Sequence, residues 1–325
     1  MSGFFRVPLP TRPVWRQAVR MTVAALLAYL GTVWLGLAEG YWAVITCLVI
    51  VQSTLGGTLN AAVSRITGTV AGGVLGGIGA WVERQLGVPH AAMLLALVLP
   101  LSLAAAANAQ FRMAPVTAAL VLLAMPVGGG SFNVALYRIA DIALGGVVGA
   151  AAALFVLPEH GASRMAAHGA AALAALGELA RLYLTGRSGA DALRNQVQAL
   201  VFKTQAACAE AARERAFHLV DGPPPEPLLQ TIRRLRTDVV MIGQFVAADP
   251  GEEHVYASIA DTIADSFTAA SRALESGGAP PDFTTIDRAC EDIPPGSALR
   301  LVHAVLRQDL DDLCAQIAER RRSRP

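Results

Sequence analysis

The chain has 325 residues, 54% of them hydrophobic, with a mean hydropathy of +0.47 and a formal net charge of +1. That small total conceals a division: residues 1–160 hold 12 charged side chains, net +4, and residues 161–325 hold 39, net −3, where a soluble globular chain averages roughly one charged residue in four. A secreted disulfide scaffold, a disordered chain and a simple soluble enzyme are excluded, leaving a membrane half (1–160) joined to an aqueous half (161–325).

Crossing a hydrocarbon core of ~30 Å takes ~20 apolar residues. Six segments of the first half read as spans: 18–37, 41–59, 66–82, 91–107, 113–128 and 139–157. The first follows a basic stretch, as a signal peptide would, but it is too long for a signal core and further apolar segments follow. The second is interrupted by Gln52, Ser53, Thr54 and Gly56-Gly57, and the fifth is bracketed by Pro115 and Pro126, so these two are the weak spans. Arg6, Arg12, Arg16 and Arg20 stand before or at the opening of the first span with no acid among them. The positive-inside bias puts both termini in the cytoplasm, with Arg65, Arg112 and Arg164 on the same side and Arg84 and Arg138 opposite.

The spans repeat. Arg65 opens RITGTVAGGVLGG, and Arg138, 73 residues later, opens RIADIALGGVVGA; Gly72-Gly73-Val74 and Gly76 fall on Gly145-Gly146-Val147 and Gly149. Upstream, Ala43–Thr46 matches Ala114–Thr117 at an offset of 71. A three-span unit repeated once is inverted in the membrane, because an odd number of crossings reverses direction. Inverted repeats with short or interrupted segments at corresponding positions mark transporters, and the weak second and fifth spans are such a pair.

Arg65 and Arg138 are expected at the starts of matched helices, each beside exposed N–H groups that favour an anion. Either they attract a substrate anion or they snorkel to lipid head groups as anchors. Gln52, Thr54, Thr58 and Asn60, with Trp42 opening the segment before them, supply hydroxyl, amide and indole groups suited to a carboxylate or phenol. They line a cavity if the irregular backbone lies at membrane depth, and form an ordinary loop if the span ends near Val51. Asp141, one turn from Arg138, is its charge partner or a proton carrier. The GxxxG series at Gly68, Gly72 and Gly76, and at Gly145 and Gly149, permits close helix packing.

After Pro158 the pattern becomes that of soluble amphipathic helices. Stripes run through Leu193–Cys208, Leu228–Val246, Val255–Leu274 and Leu299–Ile317, with a fifth helix over 165–184. Breaks fall at Gly186–Gly189, at GPPPEP (222–227), at Asp249-Pro250-Gly251 and at Gly277–Pro281. The fold class is all-α: a six-helix membrane domain with two inverted three-helix repeats, and a cytoplasmic helical bundle. Cys47, Cys208, Cys290 and Cys314 have no metal-ligand spacing and read as reduced packing residues. No GxxxxGK or HExxH motif is present, so no catalytic residue, metal or cofactor is expected, and the acid pair Asp311-Asp312 reads as a solvated face.

The stretch Glu39–Thr69 resembles the fusaric acid resistance and aromatic acid exporter family, through Tyr41-Trp42-Ala43, Gly56–Thr58, Arg65 and Gly68-Thr69. The stretch 137–159 is similar to that family's closing membrane helix. The resemblance implies an inner-membrane exporter of organic anions, in particular aromatic carboxylic acids, working in contact with lipid and with a periplasmic adaptor as a candidate partner. Plant aluminium-activated malate channels are distant relatives with six spans, a helical cytosolic domain and dimeric assembly. Many bacterial exporters carry two membrane halves in one polypeptide, so a half-length chain implies a homodimer. The competing expectations are a passive organic-anion channel of the malate-channel type and a non-transporting scaffold whose bundle docks a partner. Neither nucleic-acid binding nor enzymatic activity is expected.

Overall fold

A computed structural model describes residues 12–37, 40–124, 132–248, 253–291 and 298–323. The side chains of 12–13, 124, 132–139, 253–255, 258, 298–299 and 301 lie outside that description. Every regular element among the described residues is helical, and the chain divides into two compact units, Met1–Glu159 and His160–Pro325.

The first unit contains α1 (Arg12–Leu35), α2 (Tyr41–Ile50), α3 (Leu55–Leu86), α4 (His90–Ala107), a 3-10 turn (Ala109–Phe111), α5 (Ala114–Ala124) and α6 (Phe132–Phe155). Among the described residues three helices are long and apolar enough to cross a membrane: Val14–Leu35, Leu55–Leu86 and His90–Ala107. The α4 helix buries only Met93 and Leu101 and turns Leu95, Leu99 and Leu103 outward, each about two-thirds exposed. An exposed apolar stripe of this kind suits a lipid surface.

The two weak segments are two short helices. With 10 and 11 residues, α2 and α5 rise only about 15–17 Å, half a hydrocarbon core. The expected boundary between the second and third spans is corrected. The second helix ends at Ile50 rather than near residue 59, and α3 begins at Leu55 rather than at 66. Thr54 causes the difference. It sits in extended backbone as the N-cap, and its hydroxyl accepts from Gly57 N–H at 3.2 Å, which satisfies one of the orphan donors of a helix start. A Cβ at Gly57 would come within 2.9 Å of that hydroxyl oxygen. The glycines that read as a break are therefore the first turn of α3.

The glycine series sets the packing. Gly68, Gly72 and Gly76 of α3 lie in turn against Met113-Ala114, Ala114 with Thr117, and Ala118 with Val121 of α5 and its approach, so α3 and α5 run parallel. Gly145 and Gly149 of α6 lie against Ala43 with Thr46, and Ile50 with Val51, so α6 and α2 run parallel as well. Gly79 meets Leu97, and Gly31 meets Leu144, which makes α4 antiparallel to α3 and α1 antiparallel to α6. The two clasps correspond at the offsets of the sequence repeat: Gly72 to Gly145 by 73, Ala114 to Ala43 and Thr117 to Thr46 by 71.

The second unit contains α7 (Gly161–Leu184), α8 (Ala190–Ala216), α9 (Glu226–Ala248), α10 (Glu253–Ser276), the short α11 (Thr284–Ala289) and α12 (Ala298–Arg322). The first turn of α7 is capped by Glu214, buried, whose two oxygens each accept from Gly161 N–H at 3.0 Å. An alanine-rich α7 packs against α8, α9 and α10. At Gly177 a Cβ would stand 2.7 Å from Phe267 Cβ, so α7 and α10 approach more closely than any side chain there would allow. Leu173, Leu176, Ile232, Leu235, Phe267 and Leu310 are fully buried in one core. All four cysteines are free thiols, three buried and Cys314 half-buried, as packing residues should be. Burial pushes the Cys290 and Cys314 thiols up to about 11.

Candidate functional site

The α2–α3 break is built from main-chain carbonyls turned inward at a helix end. Helix α2 ends with its last carbonyls unpaired within the helix, and α6 ends alongside it. Arg20, only 1% exposed, fills the gap. Its Nε–H donates to Val156 O at 3.0 Å, and Nη1 donates to Gln52 O at 3.1 Å and Ser53 O at 2.9 Å. Nη2 donates to Leu157 O. One turn earlier, Gln17 Nε2 donates to Val51 O at 3.1 Å, and Leu55 N–H reaches Glu159 O at 3.2 Å. A guanidinium presents five donors in a fixed fork, and here it joins the C-terminal ends of α2 and α6, where the helix dipoles favour a cation. Arg20 lies inside the apolar run 18–37, a buried position for a charged residue, and that was the signal in the sequence for a role beyond anchoring.

Two of the expected binding residues are consumed by this construction. Thr54 caps α3 as described. Thr58 Oγ1 accepts from Gln52 N–H at 2.9 Å and donates to Thr54 O at 2.9 Å. Both threonines are fully buried, so their hydroxyls hold the break together and are not presented to a ligand. Gln52 and Asn60 are exposed, with Gln52 Nε2 donating to Val49 O at 3.3 Å. Trp42 is half-buried, its ring 5.5 Å from that of Tyr41.

Arg65 does not stand at a helix start, which corrects the expectation for it. It lies ten residues into α3, about 15 Å along the axis, because Thr54 starts the helix so early. The N-terminal N–H groups of α3 are therefore a full 15 Å away and do not add to its charge. The same distance separates Arg65 from the polar break, so the two do not form one site. Arg65 is 9% exposed and faces the approach to α5, where its Nη1 donates to Met113 Sδ at 2.8 Å. Its neighbours fix that face: Ser64 Oγ donates to Ala109 O at 3.0 Å and Thr67 Oγ1 to Gln110 O at 3.3 Å. Arg138 falls six residues into α6, likewise away from a helix start, and its side chain lies outside the described residues. Asp141, one turn further, is fully buried. Thr46 and Thr117, the matched residues under Gly145 and Gly72, are buried too. Nothing in the sequence except their place in the repeat distinguished them.

A cavity of about 230 Å³ in the second unit is lined by His160, Glu214, Arg215, Arg320 and Arg321 among others. Its buried carboxylate, Glu214, is the α7 cap. Among the described residues no group of three or more His, Cys, Asp or Glu side chains is placed to hold a metal ion.

Residues 23–177 match the family model described as fusaric acid resistance protein-like. The inner membrane protein YccS of Escherichia coli (strain K12) is 28% identical over 151 residues, which are 46% of this chain and 21% of that protein. The matched stretch thus spans about a fifth of the relative's length. The family found is the one to which Tyr41–Thr69 points.

Proposed function

We propose that this fusaric acid resistance-like membrane protein carries organic anions, aromatic carboxylic acids above all, out across the bacterial inner membrane. The family match and the inner-membrane relative support a membrane transport role. The observation that carries the anion reading is Arg65: a buried arginine well inside a long apolar helix, turned toward the short α5. An ionisable side chain at such depth is costly, and where it faces the helix bundle it marks a substrate or ion path. Matched short helices clasped at equivalent glycines are the further support, since broken helices in inverted repeats build midplane sites in transporters.

In this reading the six segments form two inverted three-helix repeats with both chain ends in the cytoplasm. Arg65 and Arg138 attract the anion one after the other, Asp141 neutralises Arg138 or carries a proton, and Gln52, Asn60 and Trp42 offer contacts near the break. Two copies assemble as a homodimer. The test is uptake of benzoate-like and malate-like anions into liposomes containing the purified chain, with and without a pH gradient. Gradient-driven uptake of the aromatic acids supports the exporter. Gradient-independent uptake assigns a passive channel, and no uptake by a correctly inserted protein refutes the transport reading in favour of a scaffold.

A further inference from the structure

The α9–α12 seam of the second unit carries a row of polar side chains that the anion pathway does not use. On α9, Thr231, Arg234 and Asp238 stand at i, i+3 and i+7; on α12, Asp309, Asp312 and Gln316 repeat the spacing. The two helices are antiparallel here, so the rows meet rung by rung. Gln316 Nε2 donates to Thr231 Oγ1 at 2.9 Å. Arg234 lies 3.0 Å from Asp309 through Nε and 2.5 Å from Asp312 through Nη2. On the innermost rung the buried carboxyls of Asp238 and Asp309 adjoin. Asp238 is 2% exposed and Asp309 5%.

An ionised carboxylate only accepts hydrogen bonds, so two carboxyl groups bond to each other only if one of them holds a proton. Two like charges in contact and out of water cannot both ionise at ordinary pH. The charged groups acting on the pair are Arg234 of α9 and Asp312 of α12. Of the other helices packed on α9 and α12, α7, α8 and α10 meet them in the common core through side chains such as Leu173, Val201 and Phe267, and α11 brings Asp287 to Arg307 and His303 of α12. Asp312 is about half exposed and is solvated. Arg234 is itself half exposed and divided between Asp309 and Asp312, so it does not neutralise the buried Asp238–Asp309 pair, and a proton held on that pair keeps α9 and α12 together.

We propose that Asp238 and Asp309 form a proton-binding site that latches the α9–α12 seam and loosens it when the proton leaves. Burial first, and the adjoining Asp309 second, lift the Asp238 carboxyl to about 7, in the range of cellular pH. The latch answers to pH as follows. Asp238 binds its proton more tightly in the closed seam than in an opened, hydrated one, so raising the pH weakens closure until the site is empty. Occupancy falls from about nine-tenths at pH 6 to about one-tenth at pH 8, and the weight of the closed seam falls about tenfold between them.

Hydrogen–deuterium exchange of the full-length protein in detergent, at pH 6 and pH 8 with intrinsic rates corrected, tests this. Peptides from 231–242 and 306–317 are expected to lose about tenfold in protection at pH 8, while peptides from 165–208 change little. Asp238→Asn keeps a neutral donor to Asp309, and is expected to hold the pH 6 protection at both values. Seam protection in the unaltered protein that follows 165–208 at both pH values overturns the proposal, and this comparison does not depend on the variant folding. A variant that still loses tenfold between pH 6 and pH 8 overturns it as well.

Discussion

A methyl group added at Gly72 should destabilise the membrane unit, while the same methyl one residue later should not. At Gly72 the new Cβ would collide with the carbonyl oxygen of Ala114 and stand 2.9 Å from Thr117 Cβ and 3.0 Å from Ala114 C. Carbon atoms in contact prefer ~3.5–4.0 Å, so α3 and α5 must part by roughly 1 Å. Both atoms at Ala114 belong to backbone and cannot rotate away. Overpacking of this kind costs about 1–3 kcal/mol. At Gly73 a Cβ meets nothing within 4 Å, and replacing a mid-helix glycine by alanine there gains about 0.5–1 kcal/mol. The pair Gly145 and Gly146 repeats the contrast: Gly145 faces the Ala43 carbonyl and Thr46 Cβ, and Gly146 faces open space. Four single alanine variants, heated in mild detergent and followed by fluorescence-detected size exclusion, should split into two pairs. Gly72→Ala and Gly145→Ala should melt roughly 5–15 °C below Gly73→Ala and Gly146→Ala. Equal melting of Gly72→Ala and Gly73→Ala would refute the clasp, and a large effect at 72 without one at 145 would refute its duplication.

Other predictions concern the break and the second unit. Arg20→Met leaves four carbonyl oxygens without their donor and should cost about 3 kcal/mol or more, seen as a lower melting point and faster proteolysis at Gln52–Ser53; Arg20→Lys should restore only part of it, because an ammonium cannot reproduce the fork. The Asp238 carboxyl, raised by burial and by Asp309 to about 7 from the usual 3.8, binds a proton in the folded state that the unfolded chain has already released above pH ~4. Folding stability should therefore fall as pH rises from about 4 to 8, losing about 1.4 kcal/mol between pH 6 and 8, with Asp238→Asn flattening the curve; a rise in melting temperature over that range would contradict it. Cys290 and Cys314, with thiols near 11, should resist iodoacetamide at pH 8 in the native protein and react quickly in urea.

Much of this architecture is legible in the sequence because its causes are local. Helix stops at Gly186–Gly189 and Gly277–Pro281 are backbone properties, and the stripe Leu228–Val246 is a periodicity. The two weak segments are helices of 10 and 11 residues, and Gly72 and Gly145 each lie against one of them. What the sequence conceals depends on a distant partner. Thr54 caps a helix or lines a loop according to whether Gly56-Gly57 begins a turn or ends one, and hydropathy does not distinguish them. The burial of Arg20 requires the ends of α2 and α6, which lie 32 and 136 residues away. Asp238 looks like a surface acid beside an apolar stripe until α12 lays Asp309 against it. Asp312, read as a solvated face, is half exposed yet also pairs with Arg234.

The most direct measurement is the initial rate of aromatic carboxylate uptake into liposomes by Arg65→Gln against the unaltered protein, at matched insertion and matched melting temperature. Glutamine keeps a polar side chain toward Met113 and removes the charge. If the buried guanidinium attracts the anion, uptake falls by about tenfold or more at substrate concentrations below saturation. Uptake within a factor of two of the unaltered rate would contradict the account, leaving Arg65 a packing residue between α3 and α5.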